Sequence, residues 1–187
     1  MLVDLSLKVT KEYMKKAMDY GKMEHLWHLG THFDVMDKEF PLEYTSRDAI
    51  VFDVSSIKNR DIEVSDININ KVKKGMFVAF YTGVINKLEY ASEEYFKGNK
   101  NLSKDLIKEL VEKEVSIITI DCSGIRARKE HDLADQYCAD HNAFVVENLY
   151  NLEKELNSEN YKLFKANTYP INFNDLTGLP CRVIGIL

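Results

Sequence analysis

Two amphipathic stretches each run straight into a short apolar segment, and that alternation constrains the fold of this chain more than any other feature. Residues 103–114 open on Ser103 and carry Leu106, Ile107, Leu110 and Val111 as one stripe at helical spacing. They lead at once into residues 115–120, a β-branched apolar run. Residues 131–141 repeat the pattern, with Leu133, Ala134, Tyr137 and Cys138 expected inward, and feed the strand-like residues 143–147. Further strands are predicted at residues 2–7, 49–54, 76–82 and 181–187. A first helix is predicted at residues 10–20, opening on a capping Thr10 and stopping before Gly21. This β-α-β-α-β rhythm predicts an α/β domain. Asp121, Cys122 and Ser123 then fall at the carboxyl end of a central strand, where open α/β sheets place their chemistry.

With 187 residues, three prolines (41, 170 and 180) and no repeat or Gly/Ser-rich linker, one continuous domain over residues 1–187 is expected. Thirty acidic residues against 25 basic ones leave a net charge of -5, so no basic field favours nucleic acid or an anionic membrane. A small-molecule partner is expected instead. The amino-terminal residues carry Asp4 and no apolar run of export or membrane length, which predicts a cytoplasmic protein. Cys122, Cys138 and Cys181 have no CxxC spacing and are read as reduced packing residues.

Chemistry concentrates at His28-Leu29-Gly30-Thr31-His32-Phe33-Asp34. In an extended segment alternate side chains share a face, so His28, His32 and Asp34 would project together and offer three ligands from one short strand. Imidazole nitrogen with carboxylate oxygen suits zinc, manganese or iron. Gly30 allows close backbone approach, and Thr31 can hold a hydrogen bond that orients an imidazole. His25 would face His28 only on a helix, which Trp27 and Gly30 argue against, so it is read as solvated or on the approach. The remaining ligands must come from elsewhere in the fold. Glu147 leads, at the end of a predicted strand; His131 and Asp135 share a helix face four residues apart and otherwise read as an exposed pair.

These residues, with Val3-Asp4-Leu5-Ser6, Ile118-Thr119-Ile120-Asp121-Cys122-Ser123, Val145-Val146-Glu147-Asn148-Leu149 and Gly178-Leu179-Pro180-Cys181-Arg182-Val183, resemble the cyclase-family metal-dependent hydrolases, which include bacterial kynurenine formamidases (arylformamidases). The resemblance spans nearly the whole chain. It implies a swivelling β/β/α-type domain with a central mixed sheet flanked by helices, assembled as a homo-oligomer (dimer or tetramer), and one or two divalent ions, zinc or manganese. His28, His32 and Asp34 match family ligands, Asp34 as the carboxylate that can bridge two metals, and Glu147 matches the late ligand.

Two departures stand out. Where the family motif continues x-Pro-x-His, this chain reads Val35-Met36-Asp37-Lys38, which puts Lys38 in the place of a proton-transfer histidine. A lysine does such work only with a lowered pKa; otherwise it is a surface residue. Twelve residues before the late glutamate, the family's histidine ligand is replaced by Asp135, which would harden the site towards manganese or magnesium. Asp135 ranks ahead of His131 because it needs no change of register. The resemblance implies metal-assisted hydrolysis of an amide-type bond, N-formylkynurenine or a related cyclic or acyclic amide. Trp27, Phe33, Phe40, Tyr44, Phe80 and Tyr81 are candidate pocket aromatics. The alternatives are a family member that binds a metal or small molecule without turnover, and a structural protein with incidental histidines.

Overall fold

Apolar side chains alternate along the central strands between two buried clusters, as the two-residue period of a strand requires. Ala49 and Val51 enter one cluster and Ile50 and Phe52 the other; Phe77 and Ala79 separate in the same way from Val78 and Phe80. The computed structural model describes residues 1–19, 21, 24–156 and 160–187. Its strands are β1 (Leu2–Asp4), β2 (His32–Asp34), β3 (Ser46–Asp53), β4 (Phe77–Tyr81), β5 (Ile117–Ile120), β6 (Phe144–Glu147), β7 (Tyr161–Pro170) and β8 (Gly178–Ile186). The helices are α1 (Lys11–Asp19), α2 (Glu24–Trp27), α3 (Val84–Lys87), α4 (Glu93–Lys97), α5 (Lys104–Glu112), α6 (His131–Asp140) and α7 (Glu153–Leu156).

Strands β3, β4, β5 and β6 run parallel to one another. The expected central mixed sheet is present, but it closes on itself: antiparallel β2 joins β6 to β8, and antiparallel β7 joins β8 to β3, so seven strands form a barrel. β1 pairs with β8 as an eighth strand. Phe33, Phe77, Ile117, Phe144, Val146, Phe164, Leu179 and Val183 meet in the cluster to which all seven strands contribute, which fills the barrel. The second cluster lies on the outer wall, where Leu106, Ile107, Leu110 and Val111 of α5 are all buried. Each such side chain contributes roughly 1.5–3 kcal/mol on burial. Ser103 caps α5 by accepting from the Leu106 amide at 3.1 Å.

Helix α1 starts beside Thr10, whose Oγ1 accepts from the Tyr13 amide at 3.3 Å; the predicted last residue, Tyr20, lies outside the described residues. On α6 the inward face differs from the expected one. Leu133 is 71% exposed and Tyr137 also faces solvent, while Asp135, Cys138 and Ala139 are buried. The helix turns a carboxylate towards the barrel because that side of the wall is polar. Among the described residues, no helix is long and apolar enough to cross a membrane.

Candidate metal centre

Register builds the centre. Strand β2 lies between β6 and β8 with His32 opposite Glu147 and Asp34 opposite Gly178. Phe33 points into the barrel, so His32 and Asp34 project from the outer wall, and Glu147, next to inward Val146, emerges on that same face. His28 does not share the strand, contrary to the expectation of three ligands on one extended segment. It follows the short helix α2 and bends back, with Nδ1 2.9 Å from Asp34 Oδ1. Its ring lies so close to Gly178 that a Cβ there would stand 2.7 Å from it, so the site requires glycine at that strand position.

From the other side α6 delivers both His131 and Asp135. His131 Nε2 is 3.3 Å from Asp135 Oδ2 and 3.4 Å from Glu147 Oε1, while His32 Nε2 is 3.5 Å from Asp34 Oδ1 and 3.6 Å from Glu147 Oε2. Two overlapping groups result, one of His28, His32 and Asp34, the other of Asp34, His131, Asp135 and Glu147, and Asp34 belongs to both. Choosing between His131 and Asp135 is therefore unnecessary.

Hydrogen bonds on the far side of the rings fix which nitrogen faces the centre. His32 Nδ1 is 2.9 Å from the Gly30 carbonyl and His131 Nδ1 is 3.3 Å from that of Arg126. A carbonyl only accepts, so Nδ1 carries the proton in each neutral ring and Nε2 presents a lone pair inward. His28 is set the other way round: its Nε2 is 3.0 Å from Thr177 Oγ1 and its Nδ1 faces Asp34. The 3.3 Å approach of His131 to Asp135 is consequently no hydrogen bond. Asp34 Oδ2, both Asp135 carboxylate oxygens and Glu147 Oε1 are buried without a hydrogen-bond partner.

Three carboxylates packed together away from water are costly unless a cation joins them. Burial, then the negative charge of Asp34, pushes both Asp135 and Glu147 well above the ordinary carboxylate range. Asp34 moves the other way: burial would raise it, but in the metal-free protein the adjoining His32 and His28 imidazoles, when protonated, outweigh that. A cation with bonds of roughly 2.0–2.2 Å needs donor atoms about 3.0–3.5 Å apart. The donor separations here, 2.9 to 3.6 Å, fit that requirement.

All six residues line a cleft of about 940 Å³, together with Tyr13, Tyr90, Phe96, Asn99 and Ser123. Lys38 does not line it. Its ammonium pairs on the surface with Asp37 at 3.1 Å and Asp140 at 3.0 Å, and these partners raise its pKa, the opposite of what a proton-transfer base needs. The expected pocket aromatics lie elsewhere: Phe33 fills the barrel, Phe80 joins the outer core, Phe40 and Tyr44 pack on Phe144, Tyr81 packs against the barrel core, and Trp27 meets Phe173 edge-on at 5.4 Å. Sequence reasoning missed Tyr13, Tyr90 and Phe96; His25 lines the cleft, in keeping with a place on the approach, but it does so from helix α2, which Trp27 and Gly30 had argued against. Of the trio after β5, only Ser123 reaches the cleft. Asp121 instead accepts from the Thr82 amide and hydroxyl and the Gly83 amide, burial pushing it up to about 6, and Cys122 is buried.

A buried polar network holds the ligand loop. Asn148, at φ 56°, donates through Nδ2 to the Gly30 carbonyl (3.0 Å) and accepts from Tyr95 Oη (2.6 Å), while the Gly30 amide donates to Tyr90 Oη (2.8 Å). Thr31 Oγ1 accepts from the Leu7 amide and donates to the Asn148 carbonyl, both at 2.8 Å, so Thr31 braces the loop between β1 and β6 without touching an imidazole.

The putative cyclase family model matches residues 3–127, a span that includes His28, His32 and Asp34 and stops before His131. No curated protein matches the chain. Among solved structures, one described as a potential metal-dependent hydrolase with cyclase activity superposes with a TM-score of 0.76 at 18% identity, covering 99% of this chain and 96% of its own. A predicted metal-dependent hydrolase from Bacillus stearothermophilus gives 0.74 at 18% identity, covering 99% and 97%. Isatin hydrolase A from Labrenzia aggregata, bound to benzyl benzoate, gives 0.75 at 14% identity, covering 100% and 93%.

Proposed function

This chain belongs to the putative cyclase family, and from that premise we propose that it is a metal-dependent hydrolase of an amide-type bond in a small planar substrate. One observation carries the reading: His28, His32, Asp34, His131, Asp135 and Glu147 converge on one cleft with buried carboxylate oxygens that no protein group satisfies. These six residues would hold zinc or manganese. When bound, such an ion supplies Lewis acidity to a substrate carbonyl and acidifies water for attack on it. The protein's own groups keep the imidazole lone pairs aimed inward and wall the cleft with Tyr13, Tyr90 and Phe96, whose faces suit a flat ring. The substrates that follow are a cyclic amide, the class implied by the name of the isatin hydrolase neighbour, or an acyclic N-formyl aromatic amine such as N-formylkynurenine.

A second reading has its own observation. Lys38 is engaged on the surface, and the position of the expected proton-transfer group is thus unfilled, which favours a metal- or ligand-binding protein without turnover. Metal analysis after purification without chelator, followed by assay of the loaded protein on isatin, N-formylkynurenine and simple anilides, separates the two. Retained metal with turnover of any member supports the hydrolase. Retained metal with no turnover supports the binding protein, and less than about half an ion per chain removes both.

A further inference from the structure

We propose that the two halves of this centre are matched to different cations, a zinc-type ion in the imidazole-rich half and a manganese-type ion in the carboxylate-rich half. The inference rests on the metal-centre reading above and concerns how this chain's donors divide. His28 and His32 contribute two nitrogens and group with Asp34, while Glu147 Oε2 stands 3.6 Å from His32 at the edge of this half. Asp135, Glu147 and Asp34 contribute three carboxylates around the single nitrogen of His131. Imidazole favours zinc, whereas carboxylate oxygen suits manganese and magnesium.

The halves are distinct in the structure itself. Asp34 Oδ1 faces both imidazoles of the first half, at 2.9 and 3.5 Å, and its Oδ2 is buried with no hydrogen-bond partner. Glu147 likewise turns Oε2 to His32 and Oε1 to His131. Asp135 is 1% exposed with neither oxygen hydrogen-bonded, and it belongs to the second group alone. At a given site zinc still outcompetes manganese, so the difference appears as a partition when zinc is limiting.

The test uses the full chain stripped of metal, given one equivalent of Zn²⁺ and then excess Mn²⁺, and read after desalting by elemental analysis and by electron paramagnetic resonance of Mn²⁺. The expected result is one zinc and one manganese per chain, with the Mn²⁺ signal of an isolated ion. Asp135→His should raise affinity for a second zinc at least tenfold and weaken manganese by a similar factor. His28→Ala should abolish tight binding of the first zinc and leave manganese in place. Zinc-loaded protein that retains no manganese, or a second zinc that binds within threefold of the first, would overturn the partition and leave the hydrolase proposal standing. Failure to retain any ion would instead remove that proposal. Because the wild-type chain alone gives the partition, a variant that fails to fold leaves the test intact.

Discussion

His131 and Asp135 stand one turn apart on α6, with Nε2 of the first 3.3 Å from Oδ2 of the second, and both enter the cleft. On a helix, residues four apart share a face, so the geometry that marks an exposed pair in sequence here delivers two donors to one place. Their common neighbour is Glu147, 3.4 Å from His131.

His131→Ala and Asp135→Asn should each weaken one metal equivalent and spare the other. Removing even an outer partner of a ligand costs about 10–100-fold in affinity, so losing a donor costs at least that. Calorimetric titration and elemental analysis after dialysis read the stoichiometry. Two full equivalents in either variant would exclude that residue as a ligand.

Stability of the metal-free protein should fall as pH rises. Burial and the Asp34 charge hold Asp135 and Glu147 above the ordinary carboxylate range in the folded state. The folded protein therefore binds more protons than the unfolded chain from about pH 4 upward, and the slope of stability with pH is negative there. Asp34 is shifted down and acts the other way, but only in strong acid. Thermal melts in chelator between pH 5 and 8 should show a falling Tm, and the gap to metal-loaded protein should widen. Asp135→Asn should flatten the chelated profile. Parallel profiles with and without metal would refute the argument.

Thr177→Val tests how His28 is aimed. The hydroxyl is 3.0 Å from His28 Nε2 and can accept a hydrogen bond from it, which holds the proton on Nε2 and leaves Nδ1 free for a cation. Valine keeps the branched shape and cannot accept. Affinity for zinc in the His28–His32 half should fall about 10–100-fold, by competition with a chromophoric chelator, with little change in Tm of the metal-free chain. Unchanged affinity would show that Thr177 does not orient the ring.

Lys38→Ala should leave both turnover and metal content unchanged. The ammonium's partners, Asp37 and Asp140, are surface carboxylates, and water and salt screen such pairs so that they contribute little. A tenfold loss of kcat would return Lys38 to the chemistry.

Much of this was legible from the chain because local rules agree with the final packing. Capping serines and threonines marked α1 and α5, and apolar runs marked β3 to β6, buried on both faces. His32, Asp34 and Glu147 could be named because they flank or end strands. Strand β7 was missed because Lys162 and the exposed Leu163 break its alternation, and its inward Phe164, Ala166 and Thr168 gain meaning only once the barrel closes on them. Helix α6 was rotated in the reading since Leu133 and Tyr137 look like core, whereas the wall they would meet is the polar centre itself. Lys38 was placed by its offset from Asp34, and an offset does not show that its turn points to the surface. The roles of Asn148 and Tyr90 follow from partners more than 50 residues away, a relation with no local signature.

Gly124→Ala probes the junction between the two carboxylate-bearing elements. The residue sits at φ 98°, a conformation that strains any side chain, and a Cβ there would fall 2.6 Å from His131 Nδ1 and 2.8 Å from Glu147 Oε1. Strain of this kind costs of order 1–3 kcal/mol, and relieving the contacts must shift His131, Glu147 or both. Two readouts should therefore move together: a lower denaturation midpoint in chelator, and at least tenfold weaker manganese binding, with zinc affinity at His28 and His32 held within about threefold because the atoms nearest that Cβ belong to His131 and Glu147. A variant destabilised by the expected amount yet binding manganese as tightly as wild type would show that His131 and Glu147 can retreat from Gly124 without leaving the cation, and that the cradle around the second ion is looser than the structure implies.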